Sequence, residues 1–480
     1  MRTPDATTPT ERSRIPHAGR YRVLAIVCML AAAAILGACG TTDLSLATVE
    51  AEEPSNPTIT LEPEEPSSPR TTTSLSLHGD PDFTRSQLTA QQRTHYDRLW
   101  HEINDPDNHQ YLMQLAASDD AFTYARDLHG YIQVILTAFR ITGDLALLDH
   151  VDTIAQRMRQ ELRDEWRGTT DGTDGTTDGY LNWVYRQDPR DTYRMGKDTG
   201  KLDEMRLHSI IAMIAYTLDL NRDLDSPNGH DYAAHADFWH DYLINHFEAK
   251  WRERTGKETG FPFLTHPGTS VYYAWTLYHY FMGRLTHDDA YLTEATRMAD
   301  TLWDEIRTTT TPTGTAYVWA GNITSLSSSR NYLQATGYAS GVYGSSITFH
   351  LEGFHNWASE EHLHAFARTF TEFIASPDDT DGKTFASDIG GGTTRAGLPS
   401  DDSWPRRTES WFTSRSYALI SAWDTTNQIA NLTQQIQDNH PNHDTTHLTT
   451  ALLLHASLHP TTSAPGTTTT GCLRCSKGSD

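Results

Sequence analysis

Tyr124-Ala-Arg-Asp-Leu-His-Gly-Tyr-Ile-Gln-Val-Ile-Leu-Thr-Ala-Phe139-Arg-Ile-Thr-Gly-Asp144 is the stretch on which the fold turns. Tyr124, Leu128, Tyr131, Ile132, Ile135, Leu136 and Phe139 recur at the spacing of one helical face. After Gly143-Asp144 a second face follows at Leu147, Val151, Ile154, Ala155, Met158 and Leu162. The reading is an amphipathic helix, a short joint, and a second helix. The same period returns at Leu207, Ile210, Ile211, Ile214 and Leu218, and at Leu363, Phe366, Ala367, Phe370, Phe373 and Ile374. Thr89 with Gln92 has the spacing of a capping box opening the first helix. No alternating run reads as a strand, so the expected fold class is all-α.

The joints recur as well. Gly283-Arg-Leu-Thr-His-Asp-Asp289, Trp357-Ala-Ser-Glu-Glu361 and Trp423-Asp-Thr-Thr426 stand where Phe139–Asp144 stands, with a weaker one near Asn221. A spacing of roughly 60 to 80 residues suits a helical hairpin plus a long loop, repeated.

Outward from this region the chain changes character. Thr41 to about Asp80 is rich in Pro, Glu, Ser and Thr, as in Glu62-Pro-Glu-Glu-Pro66. Such a segment buries too little apolar surface to fold and reads as a stalk reaching roughly 35 Å as a coil. Residues 461–480 are a second low-complexity stretch. Ahead of the stalk, Arg12, Arg14, Arg20 and Arg22 precede an apolar run from Val23 to Leu36, then Leu36-Gly-Ala-Cys39. Basic, apolar and small in that order is the layout of a secretory signal. The cysteine after Leu-Gly-Ala resembles the lipobox of bacterial lipoproteins. That resemblance implies cleavage before Cys39, acylation there, and retention on the outer face of a membrane. The expected organisation is a signal peptide over 1–38, a lipidated, disordered linker over 39–80, the folded domain over 81–460 and a tail over 461–480.

The formal charge is −24, and about −27 once the leader is gone. So acidic a chain lacks the footprint of a nucleic-acid binder, and the lipid has to supply membrane attachment. Cys28 leaves with the leader; Cys472 and Cys475 form a single CxxC in the tail, which cannot complete a zinc site. A large exported domain without central cysteines must rest on its apolar core.

Repeated hairpins with short turns at one end and long aromatic, Gly-rich loops at the other resemble an (α/α) toroid. Alginate and glucuronan lyases, several glycosidases and sugar epimerases share that architecture. The resemblance implies that loops entering the inner helices carry the site. Four stand out: Gly168–Leu202, with Tyr180-Leu-Asn-Trp183, Lys197 and Lys201; Gly260-Phe-Pro-Phe-Leu-Thr-His266; Trp319 to Tyr343, with Asn322, Arg330, Asn331, Tyr332 and Tyr338; and Gly390 to Trp411.

Toroid lyases act through an Asn/His/Arg neutraliser and a tyrosine. The matching types are Asn182, His266, Arg330 and Tyr338, with His208 and Tyr343 as substitutes. Sugar binding would fall to Tyr180, Trp183, Lys201, Arg206, Tyr273, Trp319, Arg406, Arg407 and Trp411, because aromatic rings stack on pyranose faces and cations pair with carboxylates. A lyase in so acidic a chain needs Lys197, Lys201, Arg206, Arg330, Arg406 and Arg407 to build a local positive cleft.

An inverting glycosidase instead needs two carboxylates, for which Asp203, Glu204 and Glu352 are the candidates, His208 sharing a face with Glu204. Acids in a first helical turn also favour the helix dipole. His443 and His447 have i, i+4 spacing but no evident third ligand, so no metal and no cofactor is expected. The expectation is a monomeric surface lipoprotein that cleaves a uronic-acid polysaccharide by β-elimination. Hydrolysis and non-catalytic glycan binding or envelope scaffolding are the alternatives.

Overall fold

The computed structural model describes residues 75–164, 179–184, 201–256, 266–327, 331–375, 385–400, 406–413, 416–439 and 445–460. The leader, Cys39, most of the linker, Lys197, Arg330, His443, Cys472 and Cys475 lie outside them. The described protein is all-α apart from one hairpin.

Helix α1 (Ala90–Ile103) opens on its capping box. Thr89 Oγ1 accepts from the Gln92 N–H at 3.2 Å and the Gln92 side chain accepts from the Thr89 N–H at 2.8 Å. Helix α2 is Pro106–Ala116, and a π-helical turn, Tyr124–Leu128, leads into α3 (His129–Thr142). Gly143 ends α3 at φ 70°, a left-handed conformation that costs glycine nothing. Asp144 then caps α4 (Leu145–Arg159) by accepting from the Ala146 N–H at 3.0 Å.

Further hairpins follow the same plan. Helix α5 (Lys201–Leu220) pairs with α6 (Tyr232–Tyr242), a π turn at Leu243–Glu248 and α7 (Ala249–Thr255). Helix α8 (Thr269–Thr286) pairs with α9 (Asp289–Glu305). Next come α10 (Thr336–Leu351) and α11 (Glu360–Thr369), which runs into a π turn at Phe370–Ile374. A 3₁₀ stretch (Ser416–Trp423) precedes α12 (Gln428–Asn439) and α13 (Thr446–Leu458).

Two kinds of helix result. In α3, α5, α8, α10 and α13 buried residues run around most of the circumference, as in α8, where nearly every side chain from Thr269 to Leu285 is buried. In α4, α9, α11 and α12 only a stripe is buried. All-round burial demands neighbours on every side. Accordingly α3 packs on α5, α5 on α8, α8 on α10, α10 on the 3₁₀ stretch, that stretch on α13, and α13 back on α3. The striped helices lie against them: α4 on α3, α6 on α5, α9 on α8, α12 on α13, and α1 also on α13.

Two readings need correction. Strands do occur: β1 (Arg307–Thr311) pairs antiparallel with β2 (Gly314–Val318), and β2 lies on α11. Their threonine-rich sequence is half exposed and lacks apolar alternation, so periodicity missed it. Within the joint read over Gly283–Asp289 the turn comes at His287, with φ 54°, and Gly283 itself lies inside α8. The glycine serves packing instead, since a Cβ there would stand 2.6 Å from the Leu292 side chain of α9.

The described chain begins inside the stretch read as linker, and it is docked there. Leu77 is buried, and Asn221 accepts from the Gly79 N–H at 2.6 Å while donating to the Leu77 carbonyl at 2.8 Å. Among the described residues no helix is long and apolar enough to cross a membrane.

Candidate functional site

The N-terminal ends of α8 and α10 are built alike. Thr269 donates its N–H to Gly321 O at 3.0 Å and its hydroxyl to Ala320 O at 2.7 Å. Thr336 donates the same pair to Ser387 O at 2.9 Å and Ala386 O at 2.7 Å. Each helix start is thereby tied to a returning segment.

Between these starts and those of α3 and α5 lies a cavity of about 80 Å³, room for roughly half a dozen waters. Arg126 and His129 line it from the π turn and α3, Arg206 from α5, Ser270 from α8, Tyr338 from α10, and Ser416 from the 3₁₀ stretch. The space exists because α10 is thin on this side. Gly337, Ser340, Gly341 and Ser345 line the cavity with almost no side-chain volume. A Cβ on Gly337 would lie 2.7 Å from Arg407 Nη2, so a side chain there would displace that guanidinium. His447 Nε2 would come 3.4 Å from a Cβ on Gly130, on the α3 wall.

The cavity is cationic within an acidic chain. Arg206, mostly buried, donates to Ser270 Oγ at 2.8 Å, and its guanidinium carbon lies 5.8 Å from the Tyr338 ring centre. Arg126 Nε donates to Asp203 Oδ1 at 2.8 Å. Among the described lining residues there is no Asp or Glu. Desolvation, with Arg206 adding its charge, lowers the His129 pKa to about 4, so the ring is neutral near pH 7.

Of the described residues read as lyase candidates, only Tyr338 lines this cavity. Asn182 is buried in a bridge with Arg163 and donates to Tyr180 O at 3.1 Å. His266 Nδ1 accepts from the Gly268 N–H at 3.0 Å, beside the start of α8. Arg330 is outside the described residues. Tyr343 is buried and donates to Phe366 O at 3.0 Å.

The carboxylates read for hydrolysis are each held by other side chains, Asp203 by a residue of the cavity wall itself. Asp203 pairs with Arg126. Glu204 accepts from Trp251 Nε1 at 2.8 Å and pairs with fully buried Lys250 at 3.2 Å. His208 meets the Glu204 backbone, not its carboxylate; it stacks on Phe247 with centroids 3.5 Å apart, and burial holds its pKa well down. Glu352 follows the last turn of α10, bonded to Arg140 and, at 2.9 Å, to Tyr280. None of these acids lines the cavity.

The aromatic candidates mostly pack. Trp183, Tyr273 and Trp319 are each 1% exposed, which leaves no face for a sugar. Trp183 donates to Met158 O, and Tyr180 donates to Glu253 at 2.6 Å. Among the basic candidates Arg206 lines the cavity and Arg407 reaches Gly337, while Arg406 is half-buried nearby in sequence. The side chains of Lys201 and Trp411 lie outside the described set.

Sequence reasoning missed Arg126, His129, Gln133, Ser270 and Ser416, because they sit in or beside helices read as core. The available signals were His129-Gly130 interrupting an apolar face and the small residues recurring along Gly337–Ser345. No family profile, curated protein or solved structure matches this chain.

Proposed function

We propose that the mutually packed helices form an (α/α) toroid whose cavity binds a uronic-acid unit of a polysaccharide and cleaves it by β-elimination. The observation that carries this reading is the cavity lining: Arg126, Arg206, His129 and Tyr338 together, with no described lining carboxylate. Elimination needs the uronate carboxylate neutralised, so that the adjacent carbon acid can lose its proton. Arg206, already oriented by Ser270, is the neutraliser.

Tyr338 faces the same space and is the group for proton exchange, with neutral His129 as an acceptor in the same lining. The C5 proton goes to the base, the C4–O bond breaks, a C4=C5 bond forms, and the departing oxygen takes a proton. Hydrolysis would need two carboxylates flanking the bond; of the candidates, Glu204 and Glu352 are bonded away from the cavity and Asp203, outside its lining, is paired with Arg126.

The basic, apolar, small order ahead of Cys39 supports export and lipid anchoring, with the Pro/Glu-rich stretch as the tether and the folded chain acting as a monomer. The test is incubation with a panel of polyuronates and neutral glycans, using a chain that retains the docked Leu75–Asp80. A new conjugated double bond on a polyuronate, lost in Arg206→Ala, is the expected result. New reducing ends without that absorbance would replace elimination with hydrolysis, and no reaction on any uronan would remove the lyase reading.

A further inference from the structure

On the opposite, outer side of α3, three metal-ligating side chains from separate elements meet at one point. Asp152 lies on α4, His230 in the loop before α6, and His235 on α6 itself. His230 Nδ1 stands 2.5 Å and His235 Nδ1 2.6 Å from the same oxygen, Asp152 Oδ2. The Asp152 side chain is fully buried, and the two imidazoles are 17% and 21% exposed. We propose that Asp152, His230 and His235 form a binding site for a divalent transition-metal ion of the zinc type, which clamps α4, the Ser226–Asp231 loop and α6 together.

The chemistry of the donor set selects the ion. Two imidazole nitrogens and one carboxylate oxygen suit zinc, with water in the fourth position. Calcium and magnesium prefer many more oxygens. A tetrahedral zinc with bonds of ~2.0–2.1 Å separates its ligand atoms by ~3.3 Å, so loading requires each Nδ1 to draw back by roughly 0.7 Å. Side chains at partial exposure can do this by small torsional changes. Each ring moves its proton from Nδ1 to Nε2, and His230 Nε2 then has Thr153 Oγ1 at 3.5 Å as its partner. The other carboxylate oxygen is already held, since Gln156 Nε2 donates to Asp152 Oδ1 at 3.1 Å. Such outer contacts orient metal ligands.

The loop is pinned to present His230. Ser226 Oγ donates to Asp149 at 2.8 Å and accepts from the His230 N–H at 2.9 Å, while Asn228 donates twice to Asp149. Asp149 and Asp152 are both buried, one turn apart on α4. A dication matches that pair of negative charges, and Arg159 on the same helix adds an opposite charge that interacts with Asp152. The partial exposure of the two imidazoles gives solvent its access to the site.

The test uses the untagged full chain carrying Cys472→Ser and Cys475→Ser, so that tail thiols cannot compete. After chelation and dialysis it is titrated with Zn²⁺, and separately with Co²⁺ as a spectroscopic probe. The expected result is one equivalent bound, a tetrahedral cobalt spectrum, and a melting temperature raised by a few degrees, with no such rise from Ca²⁺ or Mg²⁺. His235→Ala and Asp152→Asn should abolish uptake while their circular dichroism stays that of the parent. Absence of uptake by the parent, or undiminished uptake in folded His235→Ala, overturns the site and leaves a hydrogen-bonded clamp. Polyuronate cleavage is measured in parallel, because its loss or survival bears on the cavity and not on this site.

Discussion

Tyr338 and Arg206 share the cavity wall, and their roles separate experimentally. In Tyr338→Phe the ring remains over the Arg206 guanidinium and only the hydroxyl is lost. Turnover should fall by about 10²–10⁴-fold with KM changed only a few-fold; a large KM change with unaltered kcat would make the tyrosine a binding group instead. In Arg206→Lys the charge survives but the planar fork that pairs with a carboxylate does not, so substrate affinity should fall while binding of a neutral sugar stays unchanged. The lining of the cavity was half legible beforehand. Tyr338 and Arg206 stood out as types, whereas His129 read as one more position on a helix, because a linear pattern cannot say which polar residue faces a void.

Between helices, close contact depends on a few positions where volume or charge admits no substitute. Gly283→Ala would put a methyl group 2.6 Å from the Leu292 side chain and 3.0 Å from its backbone nitrogen. We expect a loss of about 1–3 kcal/mol in denaturant unfolding; an unchanged midpoint would show that α9 slides freely on α8. Lys250, fully buried, meets Glu204 across from α7 to α5. Lys250→Met leaves that carboxylate buried and unpaired, at a cost of about 3–5 kcal/mol. Adding Glu204→Leu should recover much of the loss, and a strictly additive double mutant would refute the pairing. The Thr89–Gln92 cap and the Asp144 cap were readable because their partners lie within a few residues. The Glu204–Lys250 pair was not, since its members come from different helices.

For the whole molecule, desolvated histidines, His279 buried and His129 and His150 half-buried, set the response to acid. Burial is the first cause that lowers His129 and His150 to about 4 and His279 to about 3, against an ordinary value near 6.5. The unfolded chain takes up protons at these rings as pH drops below about 6.5, while the folded chain resists until about 4 or 3. Stability is therefore fully present above 6.5 and declines between that value and 3–4. Buried Glu248, its pKa raised by desolvation, works the other way in the carboxylate range. Denaturant midpoints between pH 7 and 5 should fall, and His279→Asn should flatten that slope besides shifting it; an unaltered slope would exclude His279 as a source. The amino-acid sequence by itself determined that this chain is helical and where most helices turn, because period and caps are local properties of neighbouring residues. Which helices are wrapped on every side, that α10 is thinned to open a cavity, and that Asp152 meets two histidines were decided only in three dimensions. Those outcomes depend on which distant surfaces pack against each other, and no local pattern encodes that.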